Sequence, residues 1–328
     1  MLLSILVVSR TSSLLNEMVN SIENATKILP TNLEILCSWN GSTNEIKNID
    51  QNSFYKVNIA QKKKYHFARN INSLIRKSKG DLILIINDDV ILDPHSIDKA
   101  IMCLENHQNI GLVGSKLRNR NRIITHSGIL FNIMNFPYHR LEGLAHIDHI
   151  IINQKAEKIS AATGALMLIP KNILTQVKMN ENYNVCGEDV ELCLDIRENL
   201  NKDIIYCPDF SGIHESEQTR RTQDNQAGNE EDLVKLRVRR RKFLEKAKKS
   251  QILNELLIAQ KGIDALRVII DESLDVQKQI KSSQEIAEEQ THSLHLYRIS
   301  LNQEVSKLRK ELALLNSGRL EQEETQKN

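Results

Sequence analysis

Residues 81–90, which read DLILIINDDV, decide the fold class of this chain. Their run of five consecutive apolar residues is typical of a strand that is buried on both faces of a sheet. The run passes directly into Asn87, Asp88 and Asp89. These residue types favour turns, so a solvated turn explains them. A ligand site explains them as well, because ligands bind at the carboxyl ends of the strands in open α/β sheets.

Strand-like and helix-like segments alternate on the N-terminal side of this stretch. Apolar runs at Leu2–Val8, Leu33–Cys37 and Lys56–Ile59 predict strands, and apolar residues recur at helical spacing in Ser13–Leu29 and His66–Lys79. Strands that alternate with helices indicate βαβ units. The predicted fold class is therefore α/β, with a mostly parallel, Rossmann-like sheet flanked by helices.

The C-terminal side has a more mixed pattern as far as residue 221. Strands are predicted at Ile110–Leu117, Ile123–Phe131 and Ile204–Cys207, and a helix is predicted at Val190–Leu200, while Ser160–Ile169 is rich in small residues and then apolar. From Thr222 onward there is no proline, and charged residues and glutamine become more frequent. This shift predicts four parts, which are an α/β domain at 1–221, a basic amphipathic helical linker at 222–250, a helical or coiled-coil extension at 251–316 and a disordered tail at 317–328.

The composition is that of an ordinary soluble protein, with 40% hydrophobic and 26% charged residues and a net charge of +2. The five cysteines include no CxxC pair, which favours reduced thiols over a disulfide framework or a zinc site. The first apolar run lacks a basic region before it and stops at Arg10, so it is interpreted as a strand rather than a signal peptide. No apolar run approaches the ~20 residues of a membrane span. The expected location is the cytoplasm, with any membrane contact peripheral and at the inner face.

Ten short segments match the motifs of one enzyme family in order and spacing. They are the strand Ile5–Val8, WNGST at 39–43, FARNIN at 67–72, GD at 80–81, NDDV at 87–90, GSKL at 114–117, HSG at 126–128, TGA at 163–165, GEDVEL at 187–192 and HE at 214–215. Over residues 1–220 the chain resembles glycosyltransferase family 2, and within it the rhamnosyltransferase-like branch. The resemblance implies the GT-A fold and a reaction that inverts the anomeric configuration.

The resemblance also implies a metal and nucleotide site around residues 87–89. Asp89 takes the position of the metal ligand, and Asp88 that of a neighbour of the ribose or diphosphate. Asn87 stands where many members carry the first Asp of a DxD motif, and its amide would coordinate metal more weakly. His214 matches a position that sometimes supplies a further metal contact; an ordinary surface histidine is the alternative. Mn²⁺ or Mg²⁺ is the expected cofactor, because hard cations take carboxylate and phosphate oxygens.

Other residues at the predicted strand ends are expected to contact the nucleotide sugar. Ser9 and Arg10 follow the first strand, and Trp39 and Asn40 follow the second. Arg69 matches an arginine that faces the nucleotide in the family, and its planar fork suits a phosphate or a base. Trp39 replaces an aspartate that hydrogen-bonds a pyrimidine base in relatives. An indole can stack on a base or pack in the core, but it cannot accept that hydrogen bond, and Asn40 is placed to take over part of the role.

Asp189 is the expected general base. An inverting transfer needs a carboxylate that takes the proton from the acceptor hydroxyl as its oxygen attacks the anomeric carbon. Glu188 is expected to orient the loop. The same two acidic residues suit the first turn of the predicted helix that follows them, and helix capping is compatible with catalysis.

The C-terminal region contains a basic helix followed by a longer helical stretch. Residues 232–249 interleave nine basic residues with apolar ones, which fits peripheral contact with an anionic membrane and equally fits packing on the α/β domain. Nucleic acid is not an expected partner, because aromatic interleaving is absent. Residues 251–316 show three- and four-residue apolar spacing with an apolar-poor stretch at 273–290, and the step from Leu301 to Val305 is interpreted as a break in register. A coiled coil that forms a homo-oligomer and a helical hairpin within the chain both fit this pattern.

Taken together, these features predict an inverting glycosyltransferase of the hexosyltransferase type. Its partners would be a nucleoside-diphosphate-sugar donor and a glycan or lipid-linked acceptor, in polysaccharide biosynthesis. A catalytically inactive GT-A scaffold or carbohydrate-binding module is one alternative, favoured by Trp39 and Asn87. A nucleotidyltransferase is the second. It predicts a glycine-rich loop after the first strand, whereas residues 9–13 contain no glycine.

Overall fold

The computed structural model describes residues 2–215 and 229–325, with side chains as far as residue 310 except 305, 308 and 309. The strands are β1 Leu3–Ser9, β2 Leu33–Trp39, β3 Val57–Lys62, β4 Leu82–Ile86, β5 Val90–Leu92, β6 Ile110–Arg118, β7 Ile124–His126, β8 Ile129–Phe131, β9 Pro137–His139, β10 Glu157–Lys158, β11 Leu166–Pro170 and β12 Asp203–His214. The helices are α1 Ser12–Ala25, α2 Thr43–Ile46, α3 Phe67–Lys77, α4 Ser96–Glu105, α5 Lys171–Leu174, α6 Glu188–Leu200, α7 Asn229–Lys246 and α8 Lys249–Thr325.

One mixed sheet carries most of the strands, in the order β10-β12-β6-β11-β4-β1-β2-β3, with β5 paired to β12 and β7 to β6. The neighbours β3, β2, β1 and β4 are parallel, whereas β11 runs antiparallel between β4 and β6. The predicted α/β architecture with flanking helices is confirmed. The sheet contains more antiparallel pairs than expected. A parallel pair needs a long crossover connection, whereas a short turn, such as residues 119–123 between β6 and β7, reverses the chain and makes an antiparallel pair.

Both faces of the sheet are buried, which explains why the strand sequences are continuously apolar. Along β1, Leu3, Ile5 and Val7 join a cluster with residues of α1 and α4. Leu6 and Val8 join a second cluster with residues of α3 and α6 on the opposite face. Because helices cover both faces, the strand ends are the places where the sheet meets a ligand.

The compact unit that contains the sheet continues to Arg267. It includes α7, whose Leu236 and Phe243 are almost completely buried. The boundary predicted at residue 221 falls within 216–228, outside the described residues.

Residues 268–328 form a second unit. The helix α8 runs through it without interruption as far as Thr325, so the helical hairpin is excluded. Every side chain from 271 to 304 is exposed. Residues 317–325, where a disordered tail is predicted, are helical, and 326–328 lie outside the described residues. Among the helices described, none combines the length and the hydropathy that crossing a bilayer requires.

Candidate active site

The carboxyl ends of β1 and β2 approach each other closely at one edge of the sheet. The backbone N–H of Asn40 donates to the carbonyl of Ser9 at 2.9 Å. A Cβ atom on Gly41 would lie 2.2 Å from the carbonyl oxygen of Arg10. A glycine at this position therefore lets the two strand-end loops meet and brings predicted nucleotide contacts of both strands together.

Asp88 is held by the loop that follows β1. The hydroxyl of Ser9 donates to Oδ2 of Asp88 at 2.6 Å, and the backbone N–H of Arg10 also donates to this carboxylate. Burial raises the pKa of Asp88 to about 6, with a further contribution from the charge of Asp89, while the bond from Ser9 opposes the shift. Two neighbouring carboxylates in a partly buried site favour a bound cation.

The pairing of β5 with β12 brings His214 to Asp89. In the register of this pair His214 stands opposite Val90, the residue that follows Asp89. Nε2 of His214 lies 3.3 Å from Oδ1 of Asp89. Oδ1 of Asp89 is buried, and its contact with His214 lacks hydrogen-bond geometry. The oxygen therefore has no hydrogen-bond partner. The structure therefore places a carboxylate oxygen and an imidazole nitrogen side by side.

These two side chains fit a divalent metal. A carboxylate oxygen and an imidazole nitrogen are both metal ligands. A buried acceptor without a partner costs about 1–3 kcal/mol unless a donor or a cation satisfies it. Within residues 2–215 and 229–325, no group of three or more His, Cys, Asp or Glu side chains forms a metal site. Sites that bind nucleotides commonly complete the coordination with phosphate oxygens and water, and Asp89 and His214 would contribute two protein ligands.

Asp189 lies in the first turn of α6, where backbone N–H groups fix its carboxylate. Oδ2 accepts the N–H of Gly164 at 2.7 Å, and Oδ1 accepts the N–H of Val190 at 2.8 Å. The carbonyl of Ala165 accepts the N–H of Asn87 at 2.9 Å. One short loop before β11 therefore links the candidate base to the candidate metal motif.

Glu188 is buried beside the candidate base, also in the first turn of α6. The preceding Gly187 has φ +106°, and a Cβ there would lie 2.8 Å from the ring of Tyr183. The turn into α6 requires glycine for both reasons. The position of Asp189 therefore depends on how the loop before Gly187 is held.

Asp232, which sequence analysis did not select, holds that loop. Its carboxylate is completely buried on α7. Oδ2 accepts the backbone N–H groups of Asn184 at 2.8 Å, Val185 at 2.7 Å and Cys186 at 3.3 Å. Oδ1 lies 3.0 Å from Nζ of Lys235. The sequence offered no signal for this role, because an acidic residue in the first turn of a helix is ordinary.

Trp39 is a core residue, so the expectation that its indole stacks on a base is wrong for this structure. The side chain is 1% exposed, and Nε1 donates to the carbonyl of Ser42 at 3.1 Å. The neighbouring Asn40 carries a buried Oδ1 without a hydrogen-bond partner. This oxygen is an unpartnered acceptor at the carboxyl end of β2.

Arg69 and Arg120 differ in whether they lie near Asp88 and Asp89. Arg69 lies in the first turn of α3, is 57% exposed and forms an ion pair with Glu181 at 3.5 Å; no contact of Arg69 with Asp88 or Asp89 is found among the described residues. Arg120, which sequence analysis did not select, lines the same cavity as the two aspartates. In the sequence, the available signal for Arg120 was the alternation of Arg118, Arg120 and Arg122 at the end of β6 and in the turn that follows it.

His126 packs behind the site rather than at its surface. Its Nδ1 lies 2.8 Å from Nδ1 of His139, and its Nε2 accepts the N–H of Thr163 at 3.4 Å. Burial holds the pKa of His126 well below 6.5, and electrostatic interactions with the neighbouring His139 and Arg140 act in the same direction. The neutral ring therefore supports the loop that carries Gly164.

The basic helix α7 directs two of its arginines inward. Arg239 pairs with Asp195 and Glu198 at 2.6 Å each, and Arg240 pairs with Glu255. Both guanidinium groups are largely buried. Of the two interpretations of the basic helix, packing on the α/β domain is the one that the structure shows.

The fold is of the GT-A class. The mannosyltransferase PcManGT from Pyrobaculum calidifontis, solved with GDP-Man and Mn²⁺, has a TM-score of 0.51 at 11% identity, over 82% of this chain and 75% of that chain. TarS 1–349 from S. aureus, solved with UDP-GlcNAc, has a TM-score of 0.56 at 13% identity, over 80% of this chain and 71% of that chain. At such identities the similarity concerns the fold alone.

The chain belongs to glycosyltransferase family 2, because the family model described as "Glycosyltransferase like family 2" matches residues 3–241. The O-antigen biosynthesis protein RfbC of Myxococcus xanthus is 24% identical over 128 residues, which cover 38% of this chain and 10% of RfbC. An uncharacterized protein of Sinorhizobium fredii is 25% identical over 138 residues, which cover 40% of this chain and 15% of that protein. The matches thus span a small part of both relatives.

Proposed function

We propose that this chain is an inverting glycosyltransferase, which transfers a hexose-type sugar from a nucleoside-diphosphate-sugar to a hydroxyl of a glycan or lipid-linked acceptor. The observation that carries the proposal is the meeting of Asp89 with His214 at the sheet edge where Asp88 and Asp189 also lie. Family membership supports the reaction class. The similarity to an O-antigen biosynthesis protein supports a role in polysaccharide synthesis. GDP-Man and UDP-GlcNAc, which two neighbours bind, are donors of the proposed class.

Binding of the donor would use the strand-end residues. Asp89 and His214 would hold Mn²⁺ or Mg²⁺, which supplies positive charge to the leaving diphosphate. Asp88 would face the ribose or diphosphate, held in place by Ser9 and the backbone of Arg10. The unpartnered oxygen of Asn40 would accept a hydrogen bond from the base. The other proposed contacts are the amide of Asn87 and the guanidinium groups of Arg69 and Arg120, whose fixed donors suit phosphate oxygens.

Asp189 would be the general base. As the acceptor oxygen bonds to the anomeric carbon, the bond from that carbon to the diphosphate oxygen breaks and its electron pair leaves with the nucleoside diphosphate. The acceptor proton moves to the carboxylate of Asp189. Attack from the face opposite the leaving group inverts the configuration. The N–H groups of Gly164 and Val190 orient the base, and buried Glu188 would support the same turn.

A lipid-linked acceptor would place the enzyme at the inner face of the membrane. The basic residues that remain exposed at the end of α7 and the start of α8 include Arg241, Lys242, Lys248 and Lys249. Each basic residue near an anionic surface contributes about 1 kcal/mol of attraction. We expect the protein to co-sediment with phosphatidylserine vesicles at low salt, and a variant with all four residues changed to Ser to remain in solution. Equal sedimentation of both proteins would contradict the membrane contact.

The transferase is tested by a donor screen on the purified chain with Mn²⁺. UDP-, dTDP- and GDP-sugars are compared by thermal shift and by release of nucleoside diphosphate, beside Asp89→Ala, Asp189→Asn and the control Asp271→Asn, which changes an exposed carboxylate on α8. Metal-dependent stabilisation by one nucleotide should disappear in Asp89→Ala. Asp189→Asn should retain donor binding and lose turnover, and the control should behave as the unaltered chain.

Other outcomes separate the alternatives. Release of pyrophosphate from a nucleoside triphosphate and a sugar phosphate would identify a nucleotidyltransferase. Binding of a glycan in the absence of any nucleotide binding would identify a scaffold or carbohydrate-binding module. Either result would overturn the transferase.

A further inference from the structure

Large apolar side chains are exposed along the part of α8 that lies in the second unit. Ile270 is 54% exposed, Ile280 52%, Leu294 69% and Leu301 47%. Leaving such side chains in water forgoes the free energy that their burial would contribute. Their number in one continuous helix indicates a surface that another molecule covers.

One heptad register can be assigned to this helix from residue 270 to residue 315, and large apolar residues fill its a and d positions mainly from Leu294 to Leu315. The a positions are Ile270, Gln277, Gln284, Thr291, Arg298, Val305 and Leu312, and the d positions are Ser273, Ile280, Ala287, Leu294, Leu301, Leu308 and Leu315. In this register the step of four from Leu301 to Val305 is the ordinary step from d to a. The a position of the preceding heptad is occupied by Arg298. The aromatic Tyr297 beside it falls at g.

We propose that a second copy of this chain covers this stripe and forms a parallel two-stranded coiled coil over residues 270–315. Eight of the fourteen a and d residues are large and apolar. Burying about 60–120 Å² on each of them, in both copies, gives roughly 1,000–1,900 Å². This area is comparable with the 1,200–2,000 Å² of a stable interface. A heptad stripe is complementary to a second stripe of the same spacing, which a copy of the chain supplies.

The polar a residues favour the parallel, in-register arrangement. In a parallel dimer Gln277, Gln284 and Thr291 each face their own copy, so that their polar groups can hydrogen-bond to each other. An antiparallel dimer places a residues opposite d residues, and these polar groups would then face Ile280, Ala287 or Leu294. Polar residues at a positions fix register in this way at a cost in stability.

The flanking positions are compatible with the same arrangement. In a parallel dimer a g residue faces the e residue five positions later in the other chain. Across residues 269–304 no such pair carries like charges. Arg298 is the unfavourable layer, because the two guanidinium groups face each other. Its replacement by leucine is therefore expected to strengthen the dimer.

The experiment is sedimentation equilibrium on the full chain over a range of concentrations. The unaltered chain should show the mass of a dimer. Ile280→Asp and Leu294→Asp place a charge in the d layer and should raise the dissociation constant at least tenfold. The matched controls Ile286→Asp and Leu296→Asp change side chains of similar exposure, each 54%, at positions outside the a and d layers, and should leave it within twofold. Arg298→Leu should lower the constant.

Orientation is tested with Thr291→Cys. In a parallel dimer the two introduced thiols face each other and should form a cross-linked dimer on mild oxidation, which the unaltered chain does not give. A monomer at every concentration would overturn the coiled coil. Equal effects of the substitutions at d positions and of their controls would overturn it as well. A dimer in which Thr291→Cys does not cross-link would overturn the parallel arrangement. None of these readouts depends on catalysis, so the inference stands or fails independently of the proposed function.

Discussion

His214 and Asp89 face each other across the β5–β12 pair, with 3.3 Å between Nε2 and Oδ1. The oxygen is buried without a hydrogen-bond partner, so a metal at this point would satisfy it. We expect Asp89→Ala to abolish Mn²⁺ binding measured by calorimetry in the presence of a nucleoside diphosphate. His214→Ala should weaken it roughly tenfold, or about 1.4 kcal/mol. The exposed His107 is the control, and unchanged Mn²⁺ affinity in both site variants would refute the metal assignment.

Asp232→Ala should destabilise the protein and impair turnover together. The substitution leaves the three backbone N–H groups of residues 184–186 without their acceptor, and each lost bond to a charged group costs about 1.5–3 kcal/mol. Chemical denaturation should show a loss of roughly 3 kcal/mol or more. With the loop before Gly187 released, kcat should fall more than the affinity for the donor. Glu231→Ala changes an exposed neighbour on the same turn, and it should alter neither the free energy of unfolding nor kcat.

Gly41→Ala should perturb the two strand-end loops. The added Cβ would collide with the carbonyl oxygen of Arg10, 2.2 Å away, and overpacking of this kind typically costs 1–3 kcal/mol. The backbone of Arg10 also donates to Asp88, so nucleotide affinity should fall as well as thermal stability. The exposed Asn44, changed to alanine, provides the control. Wild-type affinity and stability in Gly41→Ala would show that the loops can separate at no cost.

His126 should make the protein less stable in mild acid. Below about pH 6.5 an unfolded histidine binds a proton, whereas buried His126, with its lowered pKa, stays neutral in the folded state. Protons therefore favour the unfolded state, and the free energy of unfolding should fall as the pH drops below 6.5, by up to about 1.4 kcal/mol per pH unit. Urea unfolding of His126→Gln between pH 7.5 and 5 should show a flatter dependence. His107→Gln should keep the slope of the unaltered chain, and an unchanged slope in His126→Gln would assign the effect elsewhere.

The site residues that sequence analysis proposed and that the structure brings together lie where local patterns are informative. Asp88 and Asp89 follow a buried apolar strand, and such a strand must end in polar residues where it meets solvent. Asp189 follows a glycine that the turn into α6 requires. For His214, only the family resemblance suggested proximity to Asp89, because that proximity arises from the pairing of two strands distant in sequence.

The residues that sequence analysis left open or did not select depend on long-range contacts. Whether Trp39 faces a ligand or the core depends on the turn that brings the carbonyl of Ser42 to its indole. Asp232 is separated from its three donors by 46 to 48 residues. Arg239 and Arg240 look solvent-exposed in a basic stretch, and only the positions of α6 and α8 reveal their acidic partners. No spacing rule within a single segment contains this information.

Asp232 sets the shortest segment of this chain that could be transferred into a related enzyme as a working unit, because the segment must include Asp232. A fragment that stops at residue 221 includes every side chain of the proposed chemistry, and yet it lacks the carboxylate that anchors the loop before the base. Recombination at that point would produce a chimera with an intact set of reacting groups and an unanchored base. A crossover near residue 267, where the compact unit ends, keeps the anchor with the residues that it serves.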